Sequence, residues 1–406
     1  MQNTKNKIEE ELKKGINLSM IDLVDYVIKF AYESRASDIH LDPNEQGVKV
    51  RFRVDGVLQD IFDFPREIRS EVISRIKVLA GLRTDEHQTA QDGRFRSVFE
   101  DMAPIDVRVS IVPAFYGENA VLRLLSDKAE EFSLDLLGFS DNDAENVLRA
   151  VRRPHGMILS TGPTGSGKTT TLYTLIKLLN TKEISIITIE DPIEYSIEGI
   201  NQIQVNQRTG LSFANGLRSV LRQDPDIIMV GEVRDSETAA LAVNTALTGH
   251  LLLSTLHTND AATTLARLLD MKIEPYLIAS TVNLAIAQRL VRKICPICKE
   301  KKSISESERK SLRGVFSEDL IGSAKDFYCG KGCDKCGQSG YLGRLGIYEV
   351  MVIDEKIKEA FLRRASAIEI KQLAIANGMT PMIEDGFRKA TKGLTTIEEV
   401  LRVIHE

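Results

Sequence analysis

The stretch from Ser160 to Thr170, STGPTGSGKTT, constrains this chain more than any other part of the sequence. It fits the pattern G-x-x-x-x-G-K-[ST], in which glycines let the backbone curl so that successive N–H groups point at phosphate oxygens. The lysine reaches the β- and γ-phosphates of ATP, and the hydroxyl of Thr169 can ligate Mg²⁺. The pattern therefore predicts a nucleotide-binding loop made of Gly162, Pro163, Thr164, Gly165, Ser166, Gly167, Lys168, Thr169 and Thr170.

The residues on either side of this loop favour the same interpretation. Met157, Ile158 and Leu159 form a short apolar run suited to a buried parallel strand, and Thr169 to Asn180 carries leucine and isoleucine at helical spacing. A strand, a glycine loop and a helix whose N-terminus faces the anion is the arrangement that phosphate binding requires. An ordinary glycine-rich turn, which is the alternative, does not need this order of elements.

Length and composition bound the kind of protein. A chain of 406 residues is too long for one compact core, so two or three domains are expected. The net charge of −5 argues against a protein whose main partner is nucleic acid. No apolar run approaches the ~18 residues needed to span a bilayer, and the charged N-terminus lacks the apolar core of a signal peptide. We therefore expect a cytoplasmic protein that reaches the membrane only through partners.

The first part of the chain has the pattern of a small α+β domain over residues 1–127. Residues 48–54 alternate apolar and basic side chains, and Asp55-Gly56 predicts a hairpin turn into a second strand at 57–62. Helices are predicted over 21–32 and after Pro65. Further strands are expected at 95–99, 105–112 and 119–125. A charged linker is predicted over 128–140.

From about residue 141, strands alternate with helices, which is typical of an α/β fold with a parallel sheet. We predict a core over 141–292, a four-cysteine segment over 293–346 and a helical tail over 347–406. The strand candidates are 157–161, 184–190, 227–230 and 251–255. The helix candidates of the tail are 355–364, 366–377, 382–391 and 396–405.

Two predicted strands of this core end in acidic residues. IITIEDPIE delivers Glu190 and Asp191, and DPDIIMVGEVRD delivers Glu232 after Gly231. Ligands of open α/β sheets bind at the carboxyl ends of the strands, where such acids ligate Mg²⁺ or polarise water. We expect Glu232 to orient or deprotonate an attacking water. A solvated acidic turn is the alternative for Glu190 and Asp191.

Two histidines flank another predicted strand, in the stretch TGHLLLSTLHTND. His257 lies just past the end of the strand, where a group that senses the γ-phosphate would lie. His250 lies at its start. A purely structural role is the alternative for both residues.

All five cysteines of the chain fall between residues 295 and 336. Cys295 with Cys298 and Cys333 with Cys336 form two C-x-x-C pairs, and four thiolates complete a closed, structural tetrahedral Zn²⁺ site. Cys329 is left over. It is a spare thiol or a replacement for Cys333, although the C-x-x-C spacing favours Cys333. A redox dithiol is the alternative, and its usual thioredoxin-like context is absent.

The ordered set STGPTGSGKTT, TIEDPIE, DPDIIMVGEVRD and GHLLLSTLHTNDA resembles the secretion ATPases of the type II secretion and type IV pilus assembly family (the GspE/PilB group). The resemblance covers roughly residues 20–406. It implies a RecA-like P-loop NTPase core, a preceding PAS-like α+β domain and a zinc-binding, helical C-terminal region. It also implies ATP, Mg²⁺ and Zn²⁺ as cofactors.

The resemblance further assigns roles to single residues. It implies that Lys168 and Thr169 bind ATP and Mg²⁺, that Glu232 is the catalytic base with Glu190 assisting, and that His257 and His250 form a histidine box. The resemblance also implies a RecA-like hexamer, in which arginines of the N-terminal domain contact the bound nucleotide. The implied candidates are Arg94, Arg108 and Arg123, with Arg218 and Arg222 reaching phosphates from the core.

The implied function is a homohexameric motor that drives an inner-membrane platform protein, with its cytoplasmic adaptors, to assemble pilin or pseudopilin subunits. Full-length family members usually carry a further N-terminal domain before the segment at which this chain begins. Pilus-retraction relatives lack the four cysteines, which favours assembly or secretion. A DNA-uptake or DNA-transfer motor is disfavoured by the acidic composition, and a non-hydrolysing scaffold by intact Lys168, Thr169 and Glu232.

These assignments predict the behaviour of two variants. Lys168→Ala is expected to abolish ATP turnover because the phosphates lose their cation, and Glu232→Gln is expected to bind ATP without hydrolysing it because the base is removed. Steady-state phosphate release and the nucleotide that copurifies with each variant measure both effects. Wild-type turnover by both variants would contradict the assignment.

Overall fold

The computed structural model describes residues 2–100, 102–126, 133–303 and 326–405, and between the last two ranges residues 310, 312, 313, 316 and 318–323. The chain divides into two compact units, residues 1–130 and 131–406. Among the described helices, none combines the length and the apolar composition that crossing a membrane requires.

The first unit is built on a six-stranded sheet in which every neighbouring pair is antiparallel. The strand order is β3-β2-β1-β6-β5-β4. The strands are β1 (Ala36–Pro43), β2 (Gly47–Val54), β3 (Val57–Pro65), β4 (Gln91–Phe99), β5 (Met102–Ala114) and β6 (Gly117–Ser126). The helices are α1 (Gln2–Lys13), α2 (Met20–Glu33) and α3 (Arg69–Ala80).

The alternation seen in the sequence explains how this sheet forms. Val48, Val50 and Phe52 of β2 are buried in the core, whereas the basic residues between them are only half-buried. Asp55 and Gly56 both have positive φ, 49° and 88°, as the predicted two-residue hairpin turn requires. The antiparallel α+β domain is therefore confirmed. Strand β1 was not predicted, although it pairs with both β2 and β6 near the middle of the sheet.

The second unit contains a seven-stranded sheet with the order β15-β12-β7-β11-β10-β8-β9. Every pair in it is parallel except β12 with β15. A separate two-stranded ribbon pairs β13 with β14. The strands of this unit are β7 (Gly156–Thr161), β8 (Ile186–Glu190), β9 (Asn201–Gln204), β10 (Ile227–Val230), β11 (Leu251–Leu256), β12 (Val282–Ile294), β13 (Lys299–Lys302), β14 (Phe327–Gly330) and β15 (Tyr341–Val352).

Helices cover both faces of this sheet. Met157 and Leu159 of β7 belong to the larger core cluster, and Ile158 between them belongs to the cluster on the other face, so the central strand is buried on both sides. The α-helices are α4 (Leu134–Leu137), α5 (Asp141–Val151), α6 (Lys168–Leu179), α7 (Phe213–Val220), α8 (Ser236–Leu247), α9 (Ala261–Asp270), α10 (Pro275–Thr281), α11 (Glu318–Ser323), α12 (Glu355–Leu362), α13 (Ala367–Ala376), α14 (Met382–Thr391) and α15 (Ile397–His405).

The α/β class is confirmed, but the predicted division of this unit does not follow its sheet. The boundaries at 292/293 and 346/347 fall inside β12 and β15, which pair continuously from Leu284 with Val352 to Arg292 with Arg344. The four-cysteine segment is therefore an insertion between two neighbouring strands of one sheet. A ladder between residues that are 52 to 68 positions apart in the chain cannot be predicted from local sequence.

The predicted linker also differs from the structure. Its residues 128–132 lie outside the described part of the chain. Leu134, Leu137 and Phe139 are buried against the core, and the ring of Phe139 stacks on Tyr348 with centroids 3.7 Å apart. These three apolar side chains make residues 133–140 part of the second unit, although charged neighbours gave the segment the composition of a linker.

The end of the chain is anchored on β12. The Glu399 side chain on α15 is buried and accepts hydrogen bonds from the guanidinium groups of Arg292 at 2.5 Å and Arg402 at 2.9 Å. The Arg292 guanidinium also lies 4.1 Å from the centre of the Tyr341 ring. The predicted helical tail thus packs directly behind the strand that leads to the cysteines.

Candidate active site and metal centre

The phosphate-loop sequence connects β7 to α6 without interruption. All six residues of β7 are buried, and α6 begins at Lys168. Gly162 and Gly167 have φ values of 146° and 89°, and the backbone of residues with a side chain rarely adopts such values. A Cβ on Gly162 would lie 2.5 Å from the carbonyl oxygen of Gln288, so only glycine fits there. The predicted strand, loop and helix are confirmed.

The Lys168 ammonium lies inside this loop. Its Nζ donates hydrogen bonds to the carbonyl oxygens of Gly162 at 2.9 Å and Pro163 at 3.0 Å. Burial lowers the pKa of Lys168 to about 8, an effect that the charge of Glu232 opposes and that of Arg289 reinforces. A poorly hydrated cation whose hydrogen bonds go to neutral carbonyl groups is a favourable partner for phosphate.

Other groups of the loop fit a phosphate ligand. The Ser166 hydroxyl is buried and has no hydrogen-bond partner among the described residues. Thr169 and Thr170 occupy the first turn of α6 and are half-buried. Helix N-termini carry unpaired N–H groups and a partial positive charge, so this end of α6 favours an anion. The donor set of the loop is therefore suited to phosphate oxygens.

Glu232 lies just beyond β10 and holds two partners. One carboxylate oxygen is 2.6 Å from Nη2 of Arg234, and the other is 3.3 Å from Nε2 of His257. The hydrogen bond to Glu232 raises the pKa of Arg234 above its usual value. Because the negative charge of Glu232 also acts to raise the pKa of Lys168, the predicted base lies near both His257 and the loop lysine.

Hydroxyl groups connect the loop to the segment that carries His257. The Thr161 hydroxyl accepts a hydrogen bond from the backbone N–H of Thr258 at 2.9 Å and lies 2.6 Å from the Thr258 hydroxyl. Thr258 in turn lies 2.9 Å from the hydroxyl of Thr264 on α9. This chain of contacts fixes the end of β11 beside the end of β7, and with it the position of His257.

Glu190 lies in a buried hydrogen-bond network. Its carboxylate accepts from the hydroxyls of Tyr173 and Thr188 and, at 3.1 Å, from the amide of Gln202. Burial and the neighbouring negative charge of Glu190 raise the pKa of the Tyr173 hydroxyl well above its usual value. The solvated acidic turn is wrong for Glu190, which is only 2% exposed. Asp191, the next residue, is exposed.

His250 is not brought to the loop. It precedes β11, whereas His257 follows it, and a strand of six residues separates them by about 20 Å. The His250 carbonyl accepts from the N–H of Gly156 at the start of β7, and its Nδ1 lies 3.2 Å from the Thr245 carbonyl. Within one chain the structure therefore does not bring His250 to His257, because the two residues lie at opposite ends of β11.

The predicted arginines of the core are also elsewhere. Arg218 on α7 contacts Glu237 at 2.5 Å and Asn215 at 3.1 Å, and Arg222 donates to the Arg218 carbonyl at 2.7 Å. Both side chains are exposed, and none of these contacts involves the phosphate loop. The structure thus gives Arg218 and Arg222 local contacts and does not bring them to the site.

The three arginines of the first unit form a row. Arg94 on β4 is paired with Arg108 on β5, and Arg108 is paired with Arg123 on β6. The Nε of Arg123 donates to Asp38 at 2.9 Å. The register of the sheet, which the sequence did not predict, therefore places three separate candidates side by side.

Two residues of the site were missed in the sequence. Arg234 follows Glu232 by two positions, and alternate residues of extended backbone lie on one side, which is a signal that VGEVRD contained. Gln288 interrupts the apolar run of β12 and is only 1% exposed. Its side-chain amide donates to the Ser166 carbonyl at 2.7 Å, and its side-chain oxygen accepts from the Ser160 hydroxyl at 3.2 Å.

The sulfur atoms of four cysteines come together, as predicted. Those of Cys295, Cys298, Cys333 and Cys336 all lie within 4.8 Å of one another. The sulfur atoms are 3.8 Å apart in Cys295 and Cys333, 3.9 Å in Cys298 and Cys336, and 3.6 Å in Cys333 and Cys336. Sulfurs bound tetrahedrally at about 2.3 Å to zinc lie about 3.8 Å apart. The four thiolates therefore fit a tetrahedral metal ion.

Cys329 is not part of this group. Its sulfur lies 3.8 Å from a carboxylate oxygen of Glu300, on the neighbouring strand of the β13–β14 ribbon. Cys333 takes part in the cluster itself, so the alternative in which Cys329 replaces it is wrong. The Cys336 sulfur also accepts from the N–H groups of Cys333 at 3.2 Å and Gly340 at 3.3 Å, which stabilises a thiolate there.

A glycine loop on a helix N-terminus, at the carboxyl edge of a parallel sheet and next to a strand-end glutamate, defines a P-loop nucleotide-binding protein. Residues 15–402 match the family described as Type II/IV secretion system protein, and the chain belongs to this family. The resemblance to the ATPases of type II secretion and type IV pilus assembly is thereby confirmed.

Individual relatives agree with this family. The chain is 49% identical over 389 residues to type II secretion system protein E of Xanthomonas campestris pv. campestris, covering 95% of this chain and 68% of that protein. It is 45% identical over 394 residues to the type IV pilus assembly ATPase PilB of Myxococcus xanthus, covering 97% of this chain and 69% of that protein.

Solved structures support the fold. The ATPase DotB of Legionella pneumophila aligns with a TM-score of 0.68 at 22% identity, covering 94% of this chain and 95% of that chain. The pilus retraction motor PilT with bound ADP aligns with a TM-score of 0.63 at 29% identity, covering 93% of this chain and 96% of that chain.

The lowered pKa of Lys168 predicts how nucleotide affinity depends on pH. Below about pH 8 the ammonium is already charged in the free site, so affinity is full there. Bound phosphates favour the charged form, so affinity falls as the pH rises above 8, by up to about tenfold per pH unit. Titration of fluorescently labelled ADP with Mg²⁺ from pH 7 to 9.5 measures this. Lys168→Arg keeps its charge and should give weaker but pH-independent binding; a flat profile for the wild type would contradict the prediction.

Proposed function

We propose that this chain hydrolyses ATP with Mg²⁺ and uses the hydrolysis to assemble pilin or pseudopilin subunits in a type IV pilus or a type II secretion system. The ATPase class follows from its family and from relatives named for both machines. The single observation that carries the catalytic part is Glu232, held between Arg234 and His257 and close enough to influence Lys168.

The geometry suggests how the residues divide the reaction. Lys168 and the loop N–H groups bind the β- and γ-phosphates, and Thr169 ligates Mg²⁺. Arg234 holds one oxygen of Glu232 at 2.6 Å, whereas the contact of the other oxygen with His257 is longer, at 3.3 Å. That second oxygen is the one available to accept a proton from the attacking water. In this scheme, His257 senses whether the γ-phosphate is bound.

Glu190 assists indirectly in this scheme. Hydrogen bonds from Tyr173, Thr188 and Gln202 already occupy its carboxylate, and Tyr173 belongs to the helix that follows the phosphate loop. Glu190 therefore ties α6 to the end of β8 and to the exposed Asp191 beyond it. Its loss would shift the loop helix and so reduce turnover without removing a proton acceptor.

We further propose that the working form is a homohexamer. The row of Arg94, Arg108 and Arg123 supports a role in binding nucleotide held by another subunit, because arginine keeps its charge and offers a planar fork of donors. A contribution from Arg218, Arg222 and His250 to a neighbouring site is part of the same proposal. The second unit acts as the RecA-like core, and the first unit as the PAS-like domain.

The proposed place of action is the cytoplasm, at the inner face of the cell membrane. There the ring would drive an inner-membrane platform protein together with its cytoplasmic adaptors, without direct contact to nucleic acid. We assign Zn²⁺ to the four-cysteine cluster as a structural ion, because four thiolates leave no coordination position for water. This cluster favours assembly or secretion over retraction, as the family resemblance implied.

The motor assignment predicts a link between assembly and turnover. Shared sites require neighbouring subunits, so ATP turnover per chain is expected to rise with protein concentration in step with the mass measured by light scattering. A monomer that turns over at the full rate would contradict the shared-site part. Absence of turnover in the assembled ring would contradict the ATPase itself.

The metal assignment predicts different effects for two cysteine variants. Cys333→Ser removes a cluster ligand and should lower the zinc content from one per chain and reduce the unfolding temperature, because the two knuckles lose their common ion. Cys329→Ser changes a thiol outside the cluster and should retain one zinc. Elemental analysis and thermal unfolding of both variants measure this, and equal zinc content in the two would refute the assignment.

A further inference from the structure

Gln288 is a polar residue in an otherwise apolar part of β12. The four residues before it, Leu284 to Ala287, are apolar and buried, and Gln288 is equally buried, with 1% of its surface exposed. A buried amide costs free energy unless both its donor and its acceptor are paired. An apolar side chain would serve simple packing better, so the amide at this position calls for a reason.

Both ends of the amide are paired, one to a residue just before the phosphate loop and the other to a residue within it. The side-chain oxygen accepts from the hydroxyl of Ser160, two residues before the loop begins at Gly162. The side-chain nitrogen donates to the carbonyl of Ser166, two residues before α6 begins at Lys168. One side chain of a neighbouring strand thus spans the loop from its entry to its exit.

The backbone of the loop is also packed against this residue. A Cβ on Gly162 would lie 2.5 Å from the backbone carbonyl oxygen of Gln288, and a Cβ on Gly167 would lie 3.2 Å from its side-chain nitrogen, Nε2. The two glycines thus leave the space that Gln288 fills. Gly167 has a φ of 89° and no Cβ. The peptide that precedes it can therefore rotate more freely than it could before any other residue.

The Ser166 carbonyl determines where one phosphate donor points. In a planar trans peptide the C=O of one residue and the N–H of the next point in opposite directions. The C=O of Ser166 is held toward β12 by Gln288, so the N–H of Gly167 points away from β12. Loss of this hydrogen bond would allow the peptide to rotate and turn that donor away from its ligand.

We propose that Gln288 is a positioning residue for the nucleotide site: it holds the Ser166–Gly167 peptide so that the Gly167 N–H stays directed at the phosphates of bound ATP or ADP. This inference rests on the proposed nucleotide binding and adds a residue of β12 to that site. It also means that β12, the strand leading to the four cysteines, contributes directly to phosphate affinity.

Asn283 on the same strand offers a matched control. It is 7% exposed, and its side chain also makes two hydrogen bonds, to the His155 carbonyl at 2.9 Å and from Arg153 at 2.8 Å. It lies near the start of β12, close to Gly156 and therefore at the other end of β7 from the loop. A general loss of buried hydrogen bonds in β12 would affect both residues, whereas loop positioning concerns Gln288 alone.

The test compares Gln288→Met, Gln288→Glu and Asn283→Leu with the wild type in the full chain. Met matches the shape without hydrogen bonds, and Glu keeps the acceptor for Ser160 but loses the donor to Ser166. Both variants are expected to bind fluorescently labelled ADP with Mg²⁺ about tenfold more weakly, the effect of losing one well-placed hydrogen bond to a charged ligand. Asn283→Leu should lower the unfolding temperature by about as much as the Gln288 variants do. Its affinity for ADP should stay within about twofold of the wild type.

The outcomes separate this inference from the proposed function. Wild-type protein that binds no nucleotide would refute the function itself. Wild-type binding with unchanged affinity in both Gln288 variants would refute only the positioning role. Equal weakening in Asn283→Leu would also refute it, because the effect would then belong to the stability of β12. If the Met variant does not fold, the Glu variant, which is nearly identical in shape to glutamine, decides the question.

Discussion

The parallel hydrogen-bond ladder that joins β7 to β11 and β12 is the interaction on which the site depends. In this ladder Thr161, the last residue of β7, is paired with Leu256 on one side and with Ala287 on the other. The next residue of each neighbour, His257 and Gln288, is therefore level with the start of the phosphate loop. A change of register in either pair would move these side chains away from the loop.

Three buried polar side chains of the sheet lie around the phosphate loop or its helix. A sheet covered by helices on both faces favours apolar side chains, and each buried polar group must find a partner. Thr161, Glu190 and Gln288 are such exceptions, and each is hydrogen-bonded within the group of residues around the loop or its helix. Burying these polar groups costs free energy, but their hydrogen bonds hold the loop in one geometry. Packing of apolar side chains alone would define that geometry less precisely.

The pairing of β12 with β15 gives the cysteine segment its position. β12 pairs with β7 only as far as Ala287, and beyond that point it continues beside β15 to Ile294. The first C-x-x-C knuckle follows at once, and the second precedes β15, so the four cysteines lie together at the open end of this two-strand extension. Arg292 and Glu399 tie the last helix to the same extension.

The sequence by itself determined the features that depend on neighbouring residues: the glycine loop, the alternation of β2, the Asp55-Gly56 turn and the two cysteine knuckles. Local backbone preference and side-chain chemistry are sufficient for these. Tertiary structure alone decided which separate segments meet. It separated His250 from His257, joined Arg234 to Glu232, brought Gln288 to the loop and made the cysteine segment an insertion between two neighbouring strands. Strand order and register follow from packing between residues that are distant in the chain. Local sequence patterns contain little information about that packing.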